Sequence, residues 1–507
     1  MTDRIWIYDS TLFAGDRAPG HALRPDDKLH LAATLDALGV DVIEAGMPAD
    51  GPAAVESIRR VAAVLKNATL SVYCRTLPQD IADAAALVKP LRRARLNVFT
   101  PVSQQHMKYK LNMSEADALE TVKNGVTAAR RYSEDVQWTA EDATRAEDDF
   151  LCRAVETAIT AGAMVINIAD TVGYGVPGEM ASIVRMLKKR VPNLDRAVLS
   201  VDCPNDLGLA LANTLAAVEA GARQVTVTLG GMGARAGHTA LEEVVMALRT
   251  RQDKLQYETA VVSERFIAAT KQLSELAGFP IPPGKPVVGL NVFSQESGIH
   301  TDGRAYEIMT PESVGREKTD LVIGKYASSS AFRAKLRTLG FELDDLAFAA
   351  AFLRFKDFAE RRRRVSDDDL VVIATSTEGL PSERISFISM GVKSGSFGPQ
   401  EAELEVEIDG KRNKARAVGK GPVDACFKAI RILVPHDDVV LTNYELKALT
   451  QGSDAKGEVV VRLTGDGHSY NGVGVDADVI VASCRAYIDA LNRLLAGRDA
   501  QNAHAQA

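Results

Sequence analysis

No two cysteines in this chain stand at C-x-x-C spacing. The five present, Cys74, Cys152, Cys203, Cys426 and Cys484, are scattered and odd in number. That argues against a disulfide framework and against a cysteine zinc site, and it fits a reducing cytoplasm. No apolar run approaches the ~18 residues that a membrane-crossing helix needs. The opening residues, "MTDRIWIYDSTL", lack the basic and apolar segments of a secretory leader. A long basic run is also missing and the net charge is −7, so nucleic acid and anionic membrane are not the expected partners. What remains is 507 residues with ordinary apolar and charged content, enough for two or three domains.

The first 235 residues carry a regular beat. Short β-branched runs, "RIWIYDS", "DVIEAGMP", "TLSVYCR", "RLNVFTP", "DVQWTAED", "MVINIADT", "AVLSVDC" and "QVTVTLGG", alternate with amphipathic stretches such as "PDDKLHLAATLDALG". That stretch opens on a proline and two acids and closes on a glycine, the expected helix signals. Eight strand–helix units in succession predict an α/β (β/α)₈ TIM barrel, with a doubly wound sheet as the alternative. Active sites in such barrels lie at the carboxyl ends of the strands. Those ends carry Asp9, Glu44, Arg75, Glu141, Asp142, Asp170, Thr171, Asp202, Asn205 and Asp206.

The beat stops after the eighth unit. A proline-rich stretch, "PIPPGKPVVGLNVF", leads into the polar "SQESGIHTDGRAYEIMTPESVG" and then into helix over 331–364, where "AERRRRV" reads as a solvated face. From about 368 the pattern turns α+β, with period-two runs starting at "DLVVIATST" and a helix at "GPVDACFKAIRIL". The plan then repeats, ending in the helix "ADVIVASCRAYIDALNRLLAG", and Val418-Gly419 and Val473-Gly474 recur in step. A duplicated βββα unit is expected. The domain reading is a barrel over 1–275, a linker and helical subdomain over 276–367, a C-terminal regulatory module over 368–500, and a frayed tail over 501–507.

In that order, the motifs "IEAGMPA", "AEDATR", "ADTVGYGVPGE", "NDLGLALANTLAAVEAGARQVTVTLGGMG", "ESGIHTDG" and "GKGPVDACFKAI" resemble those of the 2-isopropylmalate, homocitrate and citramalate synthase family, over about residues 4–495. The resemblance implies condensation of acetyl-CoA with a 2-oxo acid, the keto group being polarised by a divalent metal. It also implies a homodimer whose linker crosses between subunits, and a C-terminal module that binds an end-product amino acid such as leucine at glycine-led helix N-termini.

The positions that carry the family's chemistry are rewritten. Its L-R-D-G-E-Q is "LFAGDR", with Phe13 for the arginine and Ala14 for the metal-binding aspartate. Its H-C-H-N-D is "DCPND", with Asp202 and Pro204 for two histidines. Its G-E-R-A-G-N is "GARAGH", ending on His238. Alanine, phenylalanine and proline offer a cation nothing, so the family's metal site cannot form as it stands.

By resemblance, Glu141 is the strand-five acid–base glutamate, with ion pairing to Arg75 or Arg145 as the structural alternative. His300 is a linker histidine that aids proton transfer in the partner subunit's site. Thr171 binds the substrate carboxylate or caps its own loop, and Arg75, Glu44 and Asn205 complete the expected substrate-binding set. Asp202 and His238 are open to two readings: an ion pair serving as an acid–base couple, or, with Asp16 or Glu141, a new metal site. Two functions stay in view. One is a divergent condensing enzyme or lyase acting on an acyl-CoA or 2-oxo acid. The other is an inactive paralogue that binds a leucine-like amino acid or regulates an active synthase.

Overall fold

In the computed structural model the described residues are 3–295, 307–317, 320–321, 323–339, 341–361, 365, 367–375, 384–395, 398–448, 457–465 and 468–505. The chain divides into two compact units, one holding residues 1–294 and 307–320, the other 295–306 and 321–507.

The first unit is a closed parallel barrel. Its strands are β1 (Trp6–Asp9), β2 (Val42–Gly46), β3 (Thr69–Arg75), β4 (Ala94–Pro101), β5 (Val136–Glu141), β6 (Val165–Ala169), β7 (Val198–Asp202) and β8 (Gln224–Val227). Trp6 on β1 pairs with Gln224 on β8 and closes the ring. The covering helices are α1 (Pro25–Leu38), α2 (Pro52–Val64), α3 (Pro78–Val88), α4 (Glu115–Arg130), α5 (Asp148–Ala161), α6 (Pro177–Arg190), α7 (Ala210–Ala220) and α8 (Leu241–Thr250). Helix α1 starts as its sequence predicts: Pro25 needs no N–H partner, and the Asp27 carboxylate accepts the Arg24 backbone N–H at 3.0 Å. Its inner face buries Leu31, Leu35 and Leu38 completely, each contributing roughly 1.5–3 kcal/mol.

Alternation along the strands sends apolar side chains outward to the helices and polar ones into the barrel. At the lower layer Arg95 of β4 donates to Gln224 at 2.7 Å and Gln137 at 3.1 Å, and Gln224 in turn donates to Ser200 at 3.0 Å. The next layer up holds Tyr8, Glu44, Ser71, Asn97 and Thr139. Tyr8 donates to Glu44 at 2.5 Å, Asn97 donates to Tyr8 at 3.1 Å, and Thr139 donates to the Asn97 carbonyl at 2.8 Å. A polar interior of this kind is held by mutual hydrogen bonding, since each group left unpaired there would cost about 1–3 kcal/mol.

The second unit begins with α9 (Ser329–Thr338), α10 (Asp345–Arg361) and α11 (Asp367–Thr375), packed around Phe332, Phe348 and Phe355. Helix α11 corrects the expected strand at "DLVVIATST". Its β-branched run imitates a strand, but Leu370, Ile373 and Ala374 bury together against the phenylalanine cluster at helical spacing, and tertiary packing overrides local preference.

Two antiparallel three-stranded sheets follow: β9 (Ile385–Lys393), β10 (Gln400–Ile408) and β11 (Lys411–Gly419), then β12 (Val440–Ala448), β13 (Gly457–Gly465) and β14 (His468–Asp476). Each first strand carries a register shift near its start, between Phe387 and Ser389 and between Leu441 and Asn443. Helices α12 (Pro422–Leu433) and α13 (Val479–Ala505) follow the two sheets. A Cβ on Gly419 would meet the Ala425 backbone nitrogen at 2.3 Å, and one on Gly474 the Ala482 carbonyl at 2.0 Å, so the paired glycines let each helix lie against its strands. The duplicated βββα plan is present. The last helix runs through Ala505, past the start of the expected frayed tail.

Candidate active site

The polar cluster read from the strand ends is assembled at the carboxyl mouth of the barrel, from side chains with distinct electrostatic states. Glu44 on β2 is buried. It accepts from Tyr8 and Ser10 at 2.5 Å each and from Asn97 at 3.2 Å, and burial raises its pKa above the usual carboxylate range. Asp9 on β1 accepts the Thr11 N–H at 2.9 Å, its Oδ2 is enclosed without a protein partner, and burial lifts its pKa to about 7.

Asp202 ends β7. Its side chain keeps 22% exposure, yet Oδ1 is enclosed and unpartnered. Burial, reinforced by Asp170, raises its pKa to about 7, although Arg235 pulls the other way. His238 lies beside it with Nδ1 enclosed and unpartnered. Burial, with Arg235 acting in the same direction, lowers its pKa to about 4. The two approach no closer than 4.0 Å, beyond hydrogen-bond reach. The expected hydrogen bond between them is not made at this distance, and desolvation favours the neutral form of each group.

A clasp between two loops holds them. The Asn205 N–H donates to the Gly237 carbonyl at 2.9 Å and the Thr239 N–H to the Cys203 carbonyl at 3.1 Å, with Pro204 bridging His238. Gly237 sits at φ +86°, and a Cβ there would lie 2.1 Å from the Gly231 carbonyl oxygen, so only glycine closes this clasp.

Glu141, at the end of β5, accepts from Lys110 at 2.6 Å through Oε1, while its Oε2 is enclosed without a partner. Its predicted pairing with Arg75 or Arg145 is not found. The Arg75 guanidinium is bound by Asp80 of α3, and Arg145 holds Asp142 at 2.7 Å. Thr171 accepts the Asp142 backbone N–H at 2.8 Å, a bond to the loop after β5 and not a cap of its own loop. Asn205 accepts the Ala210 N–H at 3.2 Å, tying its loop to the start of α7. Thus Glu44, Glu141, Asp202 and His238 gather at the mouth. Arg75 stands apart in a half-exposed ion pair, Thr171 and Asn205 shape loops, and His300 lies outside the described residues.

Sequence reading missed Tyr73. It follows Ser71 at strand period on β3, and Ser71 bonds Tyr8 inside the barrel at 2.8 Å, so alternation along "TLSVYCR" was the available signal. The Tyr73 ring stacks on Phe99 at 4.5 Å and meets Phe13 at 5.0 Å. An aromatic wall thus occupies the place where the resemblance leads one to expect an arginine and a metal-binding aspartate.

The divalent ion implied by the resemblance does not fit the side chains present. Adjacent ligands around an ion at ~2.1 Å stand ~3 Å apart, and Asp202 and His238 are wider than that. Of the two candidates for a third ligand, Asp16 is taken up by the Leu23 N–H and by Lys28, both at 2.7 Å, and Glu141 Oε1 by Lys110 at 2.6 Å. Among the described residues no three His, Cys, Asp or Glu side chains group to hold a metal.

The chain is of the class that joins a closed parallel barrel, with ionisable groups at its strand ends, to a duplicated βββα module. The HMGL-like family model matches residues 4–271, the homocitrate synthase post-HMGL domain-like model residues 287–363, and the LeuA allosteric (dimerisation) domain residues 364–495. The 2-isopropylmalate synthase of Methylorubrum populi is 44% identical over 97% of this chain and 96% of that protein. That of Caulobacter sp. strain K31 is 45% identical over 98% and 95%, and that of Methylobacterium nodulans 45% over 99% and 97%. The chain belongs to the 2-isopropylmalate synthase family.

Proposed function

We propose that the barrel joins or cleaves carbon–carbon bonds between an acyl-CoA and a 2-oxo acid using its own acid and base, in place of the family's divalent ion. One observation carries this reading: Asp202 and His238 sit at the strand-seven and strand-eight ends, enclosed, with unpartnered atoms and with proton affinities inverted from their ordinary order. Enclosed polar groups left unpaired cost stability, and pairs of titratable groups pushed apart in pKa mark acid–base sites. In the condensing direction, the free Oε2 of Glu141 takes an α-proton from the acyl group. The resulting enolate carbon attacks the keto carbon, the keto oxygen receives the proton of the Asp202 carboxylic acid, and water then hydrolyses the thioester to the free acid and the CoA thiol. An acid of pKa about 7 holds that proton up to neutral pH, so kcat/KM falls above about pH 7.

The test is a free-thiol assay with acetyl-CoA and a panel of 2-oxo acids, run with EDTA or with added Mg²⁺, Mn²⁺ or Zn²⁺. CoA release that survives EDTA and drops in Asp202→Ala supports the reading. Release only with added metal overturns its metal-free part, and no release with any oxo acid overturns the whole.

A second reading rests on a different observation. Phe13, Ala14 and Pro204 carry no donor at three positions of the family's chemistry, while the LeuA allosteric domain model spans 364–495 intact. On that reading the protein is an inactive cytoplasmic homodimer, or the partner of an active synthase, that senses a leucine-like amino acid. Thermal stabilisation by leucine without CoA release would favour it. The two readings share the dimer and the effector.

A further inference from the structure

We infer that Tyr73 is a catalytic residue of this barrel: its phenol O–H donates the hydrogen bond that stabilises the oxygen gaining negative charge when the α-proton leaves. The inference rests on the proposed acid–base reading and names the group that replaces the electrophile.

The geometry begins with strand parity. Tyr73 shares the inner face of β3 with Ser71, whose hydroxyl lies 2.8 Å from Tyr8 inside the barrel, and it stands one layer nearer the mouth. Its ring is held on two sides, stacked on Phe99 of β4 at 4.5 Å and 6° and packed against Phe13 of the loop after β1 at 5.0 Å. Arg17 lies over the outer side of Phe13 at 3.8 Å. Ring contacts on both sides leave the phenol no freedom except to turn its O–H, so the donor is preorganised without any bond to the protein.

The hydroxyl itself is the telling atom. Buried tyrosine hydroxyls ordinarily find a protein partner, as Tyr8 and Tyr487 do. The Tyr73 hydroxyl bonds none of the described residues and is not enclosed: on this half-buried side chain it stays open at the mouth, free to meet a ligand oxygen. Glu44, Glu141 and Asp202 surround it closely enough to act on it electrostatically. Together with burial they push the phenol pKa well above its ordinary value, against a smaller opposing pull from Arg17. A phenol in that field stays protonated at any working pH and serves as donor, never as base. Proton balance is simple: the C–H bond breaks, Glu141 takes the proton, the electron pair moves onto the carbonyl oxygen, and Tyr73 shares its hydrogen without giving it up.

Tyr73→Phe tests this, because it removes one oxygen and keeps the ring stack. With a substrate pair that the wild type turns over, kcat is expected to fall ~10²–10³-fold, the usual effect of losing one such donor. KM should stay within about threefold and the circular dichroism unchanged. A kcat within threefold of wild type overturns the inference and leaves the acid–base reading standing. Should the wild type release no CoA, a dethia-CoA analogue with a carboxylate in place of the acetyl thioester, a mimic of the acyl group's enolate, is titrated calorimetrically at pH 6. At least tenfold weaker binding in Tyr73→Phe then shows the hydrogen bond at the mouth, while the catalytic role falls with the parent reading. Equal binding, or no binding to the wild type, overturns the donor role.

Discussion

The two units handle polar atoms in opposite ways. In the barrel mouth Asp9, His106, Glu141, Asp202 and His238 each keep an enclosed atom with no protein partner. In the paired sheets of the C-terminal module such an atom is found among the described residues only at Gln400. There the buried set is apolar, with Leu404, Val406, Val459, Val461 and Leu463 alternating inward beneath Phe427 and Tyr487. Since an enclosed unpaired group costs about 1–3 kcal/mol, the difference locates where stability is given up. Within the barrel unit that cost is not confined to the mouth, since Ser57, Gln137 and Asn193 also keep such atoms, but at the mouth chemistry would need free donors and acceptors.

The comparison can be broken most forcefully at the clasp. Gly237→Ala is expected to lower the stability of the barrel by about 3 kcal/mol or more, because the new Cβ overlaps the Gly231 carbonyl oxygen; urea unfolding followed by Trp138 fluorescence reads it. If the sheet module is a well-packed core and nothing more, Leu404→Ala costs about 2–4 kcal/mol in the module's own transition and leaves CoA release and binding of the acyl-enolate mimic unchanged. Loss of either in that variant would tie the module directly to the mouth.

Titration sharpens the comparison further. Asp202 binds its proton more tightly folded, at about 7, than unfolded near ~3.9, so its contribution to stability declines as pH rises from ~4 to ~7. His238 binds its proton less tightly folded, at about 4, than unfolded near ~6.5, so its contribution declines as pH falls from ~6.5 to ~4. Asp202→Asn should therefore gain stability relative to wild type as pH rises, and His238→Gln as it falls. Each difference is on the order of 1–3 kcal/mol across its window, read by denaturant titration at several pH values. Parallel curves would mean that neither group is held out of water. The smallest effect is expected at Lys110→Ala. Its ammonium is half-exposed, so stability changes by less than about 1 kcal/mol, while any loss of turnover would report on Glu141.

Much of the architecture was legible in the chain. Eight β-branched runs separated by amphipathic helices can bury their apolar faces in few ways, and the strand ends then collect Glu44, Glu141 and Asp202 wherever the helices pack. The repeat of the βββα unit showed because its glycines recur in step. Helix α11 was misread because Leu-Val-Val-Ile satisfies a strand and a helix equally until a partner surface chooses, and here Phe332 and Phe355 choose.

The site was legible in position and misread in state. The sequence by itself determined which side chains stand at the barrel's mouth and which family positions hold no donor, because strand parity and loop order follow from residue spacing. Only the tertiary structure decided that Asp202 and His238 are enclosed neighbours 4.0 Å apart whose neutral forms burial favours, that Arg75 is engaged by Asp80, and that Tyr73 holds its ring against two others. Charge state and partner choice depend on desolvation and on distances between residues far apart in the chain. Those quantities come into being only when the barrel closes.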